Sequence, residues 1–112
     1  VKTATKHLVY LVHWPEIHVM KAGCTSRKRW RKFVIRGAEL VDLIEFDDCS
    51  DALDLESLAL RGLSAHGPLA FGSAKESEPY LGRGGGGWRE CYRIPEGIQP
   101  MELLMSTDWS SV

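Results

Sequence analysis

The sequence predicts a small α/β domain built on a central three-stranded, mainly antiparallel sheet flanked by helices. Apolar, β-rich runs lie at residues 6–14, 18–22 and 40–46, the first two separated only by Trp14-Pro15-Glu16. Apolar residues recur at helical spacing elsewhere: Trp30, Phe33 and Val34 in one segment, and Ala52, Leu55, Ala59, Leu60 and Leu63 in another. A chain of 112 residues fits a single domain with one hydrophobic core. That core is expected at about 6–65, followed by a Gly-rich loop and C-terminal extension at 66–112.

Leu8 to Val12 form an unbroken apolar run of the kind found in a strand buried on both faces. Pro15 offers no N–H to a ladder and biases Trp14 away from helix, so a turn follows and 18–22 returns as the second strand of a hairpin. Gly23 ends that strand, where a missing Cβ lets another group approach the backbone. Thr25 or Ser26 is placed to cap a helix over 27–35 that stops near Gly37. The third strand, 40–46, reads LVDLIEF, and Asp47, Asp48 and Ser50 supply a turn and a cap for a helix over 51–63. Glu56 falls inside the apolar stripe of that helix, four residues after Ala52 and three before Ala59. A carboxylate there is costly unless paired or metal-bound, and an arginine of the preceding helix is one available partner. Asp54 and Arg61 fall on the outer face.

Beyond Ala65 turn-prone clusters dominate, and Gly84 to Gly87 read as a flexible linker. They lack the G-x-x-x-x-G-K-S/T pattern, which excludes a nucleotide-binding P-loop. Residues 88–94, WRECYRI, read as a final short strand ended by Pro95; 100–105 suit a short closing helix, and 106–112 a loose end.

The 44% apolar and 26% charged content is that of an ordered globular domain. With no apolar run of about 18 residues and no basic-then-apolar opening stretch, the expectation is a cytoplasmic protein with no membrane association. Cys24, Cys49 and Cys91 are widely spaced, without a C-x-x-C pair, and read as reduced thiols behaving as small buried hydrophobes. The net charge of −1 conceals a segregation. Lys21, Arg27, Lys28, Arg29, Arg31, Lys32 and Arg36 form a segment without acids; Glu39, Asp42, Glu45, Asp47, Asp48, Asp51, Asp54 and Glu56 form one without bases. The two either neutralise each other as solvated faces or make one patch that attracts phosphate and one that repels it.

Val9-Tyr10-Leu11 on the first strand and Lys21-Ala22-Gly23 closing the second begin a series that continues over about half of the chain and resembles the GIY-YIG nuclease superfamily. The first triplet stands where the family writes GIY and the second where it writes YIG, in the Lys-hydrophobic-Gly form of a divergent branch. Thr25, an arginine among Arg27, Arg29 and Arg31, and Glu56 follow in family order. Glu90 in WRECYRI resembles a late Glu-then-aromatic element; the family's frequent late Asn has no counterpart, since the sequence contains none.

The resemblance implies a metal-dependent DNA endonuclease that hydrolyses phosphodiester bonds. Tyr10 would help to activate water, an arginine would sit on the scissile phosphate, and Glu56 would be the sole protein ligand of a Mg2+ or Mn2+ ion. Arg29, followed by Trp30 and Arg31, fits the family arginine best, with Arg31 the next choice. On a regular helix the two stand about 200° apart, so only one faces the cleft. Lys21 is either a phosphate contact or a solvated strand end, and Tyr10 has the competing role of a hydrogen-bonded core tyrosine. Lys21, Arg27, Lys28, Arg29, Arg31 and Lys32 make up the expected nucleic-acid surface, with double-stranded DNA favoured over single-stranded. Target recognition would come from an attached domain or a homodimer partner. A catalytically silent nucleic-acid or protein binding module on the same fold is the alternative. His13 and His18, flanking the hairpin turn, have the spacing of a metal pair but no evident third ligand.

Overall fold

The computed structural model describes residues 7–25 and 28–97. Strands β1 (His7–Trp14), β2 (Val19–Thr25), β3 (Glu39–Phe46) and β4 (Cys91–Arg93) form one antiparallel sheet in the order β3-β1-β2-β4. Helices α1 (Arg31–Ile35), α2 (Cys49–His66) and α3 (Ala74–Leu81) cover it. The α/β class is as expected, but the sheet has a fourth strand. Without it, the outer edge of β2 would leave its N–H and C=O groups unpaired; Cys91, Tyr92 and Arg93 pair there with Lys21, Met20 and Val19. Residues 88–94 do not form one strand, because Trp88–Glu90 curl into a 3₁₀ turn before the chain extends.

The alternation along β1 sends side chains into two cores. Tyr10, Val12 and Trp14 meet Phe33 of α1, Phe71 and Leu81 on one face, while Leu11 meets Met20, Ala22, Ala59 and Leu63 on the other, under α2. Val12, Met20, Leu63 and Leu81 are fully buried, and each such side chain contributes on the order of 1.5–3 kcal/mol. β3 is an edge strand. Its Leu40, Leu43 and Ile44 remain more than a third exposed in spite of their apolar character.

Other boundaries differ from the sequence reading for identifiable reasons. β2 starts at Val19, because His18 takes a left-handed turn conformation at φ 54°, and it runs through Gly23 to Thr25. Thr25 is therefore a strand residue and not a helix cap, and Ser26 and Arg27 lie outside the described residues. The first helix is correspondingly short: Trp30 is its N-cap with no side-chain cap bond, and Gly37, at φ 98°, marks its end. α2 runs longer than 51–63, with Asp48 accepting from the Ser50 amide at 2.7 Å. α3 is new. Ser73 accepts from the Glu76 amide while Glu76 accepts from the Gly72 amide, a reciprocal capping arrangement that starts a helix even though Pro79 lies within it. The Gly84 to Gly87 run is no linker: the Gly85 amide bonds to the Gly82 carbonyl, the Trp88 amide to that of Gly85, and Glu78 holds the Gly84 amide. The expected elements at 100–105 and 106–112 lie outside the described residues. No described helix is long and apolar enough to cross a membrane.

Candidate active site

Tyr10 and Gly23 are directly paired partners on β1 and β2. A Cβ on Gly23 would overlap the Tyr10 hydroxyl and Cζ, so the tyrosine ring can lie across the β2 backbone only because this residue is glycine. The ring is held from the other side by Phe33, at a centroid distance of 5.8 Å. Its hydroxyl is thereby delivered beside Lys21, two residues before Gly23 on the same face of β2.

Lys21 is not a solvated strand end; it is 1% exposed. An ammonium has three protons to donate, and all three find acceptors: the Tyr10 hydroxyl at 2.8 Å, the Glu90 Oε1 at 3.0 Å and the Ala22 carbonyl at 3.3 Å. The nitrogen also lies 4.9 Å from the Tyr10 ring centre and 5.3 Å from that of Phe33. Burial alone pulls its pKa down, but Tyr10 and Glu90 outweigh burial and hold it above the ordinary lysine value. For Tyr10, burial is the dominant influence and raises the phenol above its usual range, against the opposing pull of Lys21. The pair is thus an ammonium donating to a neutral phenol. Gly87 completes the enclosure: it sits at φ 86°, and a Cβ there would come within 2.7 Å of Lys21 Cε and 3.0 Å of Glu90 Oε1.

This cluster forms the floor of a polar cleft of about 210 Å³. Arg29, Lys32, Phe33, Cys24, Glu56, Gly86, Gly87 and Glu90 also line it. The Glu56 carboxyl is held above its ordinary range, first by burial and then by the Glu90 charge, with Lys21 and a backbone hydrogen bond from Cys24 acting the other way. No arginine among the described residues pairs with Glu56. Lys32 is pushed below the ordinary lysine value by burial and by the positive charges of Arg29, Lys21 and Arg36. The cleft thus gathers like charges of both signs: Arg29 and Lys21 act on Lys32, and Glu90 acts on Glu56. An anion beside the first group and a cation beside the second would relieve both repulsions.

The structure therefore brings together Tyr10, Lys21, Arg29, Lys32 and Glu56 from separate elements. Arg29 belongs to the turn before α1, so the expected separation of Arg29 and Arg31 around one helix does not apply. Arg31 is exposed, lies against the Trp30 ring at 5.7 Å and does not line the cleft. Lys28 is exposed and also outside the lining, and Arg27 lies outside the described residues. The sequence singles out Glu90 as a late Glu-then-aromatic element but assigns it no role in the site. The available signal was an acid between Trp88 and Tyr92 in an otherwise strand-like stretch.

The remaining candidates lie elsewhere. His13 is buried, with Nδ1 4.0 Å from Glu39, whereas His18 faces Glu96 at 3.9 Å. Among the described residues no group of three or more His, Cys, Asp or Glu side chains is arranged to hold a metal ion. All three cysteines are free. Only Cys91 is fully buried, its thiol pushed up to about 12 by that burial, whereas Cys24 is half-buried and Cys49 exposed, contrary to the expectation of three core thiols.

The fold and cleft define a small α/β domain with a lysine–tyrosine–glutamate cluster in a cleft that Arg29 and Lys32 also line. No protein-family model, curated protein or solved structure matches this chain.

Proposed function

We propose that the protein is a metal-dependent endonuclease that hydrolyses phosphodiester bonds of double-stranded DNA by a GIY-YIG-type mechanism. The observation that carries this reading is the convergence of Tyr10, Lys21, Arg29, Lys32 and Glu56 on one cleft of about 210 Å³. Phosphodiester hydrolysis needs an oriented water, positive charge on the phosphoryl oxygens and stabilisation of the leaving oxygen. Tyr10, a neutral phenol, orients the attacking water by a hydrogen bond, and the Lys21 ammonium, 2.8 Å from the phenol oxygen, fixes that hydroxyl in place. Arg29 and Lys32 receive the scissile phosphate, and their mutual repulsion falls when that anion binds. Lys21 has its three protons engaged, so its direct contact is with Tyr10 and not with phosphate. Glu56 supplies the hard oxygen donor that suits Mg2+ or Mn2+, which when bound neutralises phosphate charge and assists departure of the leaving oxygen. The like-charge pressure of Glu90 on Glu56 fits a site for a cation.

The test is cleavage of supercoiled plasmid and end-labelled duplex with Mg2+, with Mn2+ and with chelator, for wild type and Glu56→Gln. Metal-dependent nicking by wild type, lost in a folded Glu56→Gln, is the expected result. Duplex binding without cleavage under any metal would instead make the protein a silent binding module on this fold.

A further inference from the structure

Among the described residues there is a cavity larger than the polar cleft. It is an apolar groove of about 290 Å³ on the opposite face of the sheet, between α2 and the β1/β3 pair, lined by Val9, Leu11, Ile44, Leu55 and Leu58 with Asp42 at its rim. Asp51 and Asp54 precede Leu55 and Leu58 by four residues each on α2, so they extend the same flank of the helix. From Glu39 to Leu60 the chain contains acids but neither Lys nor Arg. A groove of this kind fits an apolar side chain presented among positive charges.

The chain itself carries such a group. Ile35 on α1 is 81% exposed, the highest value among the exposed large hydrophobic residues described, and its neighbour Val34 is 41% exposed. Arg31 lies four residues before Ile35, within one helical turn, and Arg36 follows at the helix end. α1 packs on the Tyr10 face of the sheet and the groove opens on the Leu11 face, so a single molecule cannot seat its own α1 in its own groove. We propose that the groove binds α1 of a second copy of this chain, with Val34 and Ile35 entering it and Arg31 and Arg36 meeting its acidic rim.

Charge selects this arrangement over the symmetric ones. Pairing two β3 edges or two grooves would oppose Asp42 and its acidic neighbours across the interface, and pairing two α1 helices would oppose Arg31, Lys32 and Arg36. Joining α1 to the groove opposes unlike charges, and because α1 and the groove lie on opposite faces of the sheet, the contact runs head to tail. Because each bound copy leaves one α1 and one groove free, the contact propagates as a chain or closes into a ring.

Sedimentation velocity of the whole protein over a range of concentration and salt tests this. Wild type is expected to associate with rising concentration and to dissociate as salt screens the charges. Ile35→Asp disables the donor side and Asp42→Lys the groove side; both positions are exposed, and thermal melts verify folding. Should either fail to fold, Val34→Asp or Asp54→Lys replaces it. Each variant alone is expected to associate at least about tenfold more weakly. An equimolar mixture of the two retains one intact α1 and one intact groove, and is expected to form a heterodimer that grows no further. A wild type that stays monomeric throughout overturns the proposal and leaves the groove to a different cationic chain. So does an association that both variants retain, or a mixture that stays monomeric.

Discussion

Replacing Gly23 by Ala places a methyl group inside the space that the Tyr10 ring occupies, within 2.7 Å of Cε2 and overlapping the hydroxyl and Cζ. The ring has little room to retreat: it is 5% exposed, packed on Phe33 at 5.8 Å and bonded to Lys21 at 2.8 Å. Overpacking of this kind costs about 1–3 kcal/mol. If the phenol is displaced far enough to lose the Lys21 bond, a charge-assisted hydrogen bond adds roughly 1.5–3 kcal/mol. Restricting the unfolded chain by Gly→Ala returns about 0.4–1 kcal/mol. With the bond lost, a net destabilisation of roughly 1.5–5.5 kcal/mol is expected, readable as a shift of the urea midpoint at unchanged m-value. In a Tyr10→Ala background the obstacle is gone, and the same substitution should cost less than about 0.5 kcal/mol, leaving most of the effect as coupling. A Gly23→Ala cost below about 0.5 kcal/mol in wild type, or simple additivity with Tyr10→Ala, would refute the account of how Gly23 positions the tyrosine.

Arg29→Ala should lower the single-turnover cleavage rate by on the order of 10²–10³ with a much smaller change in Kd, whereas Arg31→Ala, outside the cleft, should act mainly on affinity. The reverse pattern would move the phosphate contact to Arg31. Neutralising Lys28 and Lys32 together should flatten the dependence of log Kobs on log salt by up to about two in slope; an unchanged slope would place DNA on another face. Burial and then Glu90 raise the Glu56 carboxyl above its ordinary value of 4.5, so the folded state holds this proton to higher pH than the unfolded chain does. That contribution to stability is complete below the unfolded value and is lost as pH rises through the folded one. The stability difference between Glu56→Gln and wild type should therefore favour the variant more at about pH 7 than at about pH 4 in urea titrations. The opposite trend would mean that the Glu56 carboxylate is held charged by a partner.

The elements legible in the sequence were those whose pattern and burial agree. The Leu8 to Val12 run reads as a central strand because both of its faces meet a core, and the α2 stripe reads as a helix because Ala59 and Leu63 face one of them. What the pattern missed depends on partners distant in sequence. Residues 88–94 read as a short strand, but that Cys91 to Arg93 join the central sheet follows from the open edge of β2, which no local pattern encodes. α3 was hidden for a different reason: its Ser73-x-x-Glu76 capping signature was present, but Pro79 and the surrounding glycines favoured a loop reading. The capping bonds and the contact of Tyr80 with Phe71, at 5.6 Å, override that local preference.

The same distinction governs the cleft. Tyr10, Gly23 and Glu56 could be proposed from order and spacing, but the state of Lys21 could not. A lysine on a strand reads as solvated by default, because a buried ammonium is tolerable only when its protons are accepted and its charge is countered. One counter-charge is Glu90, 69 residues further along the chain, brought back by the turn at Gly87. Once that carboxylate is present, a lysine can occupy the core without losing its charge, and the charged lysine in turn holds the Tyr10 hydroxyl toward the cleft. Lys21 and Glu90 therefore form one functional unit. Replacing the lysine alone would leave Glu90 facing Glu56 without an intervening positive charge, whereas replacing the glutamate alone would leave the ammonium to Tyr10 and the Ala22 carbonyl.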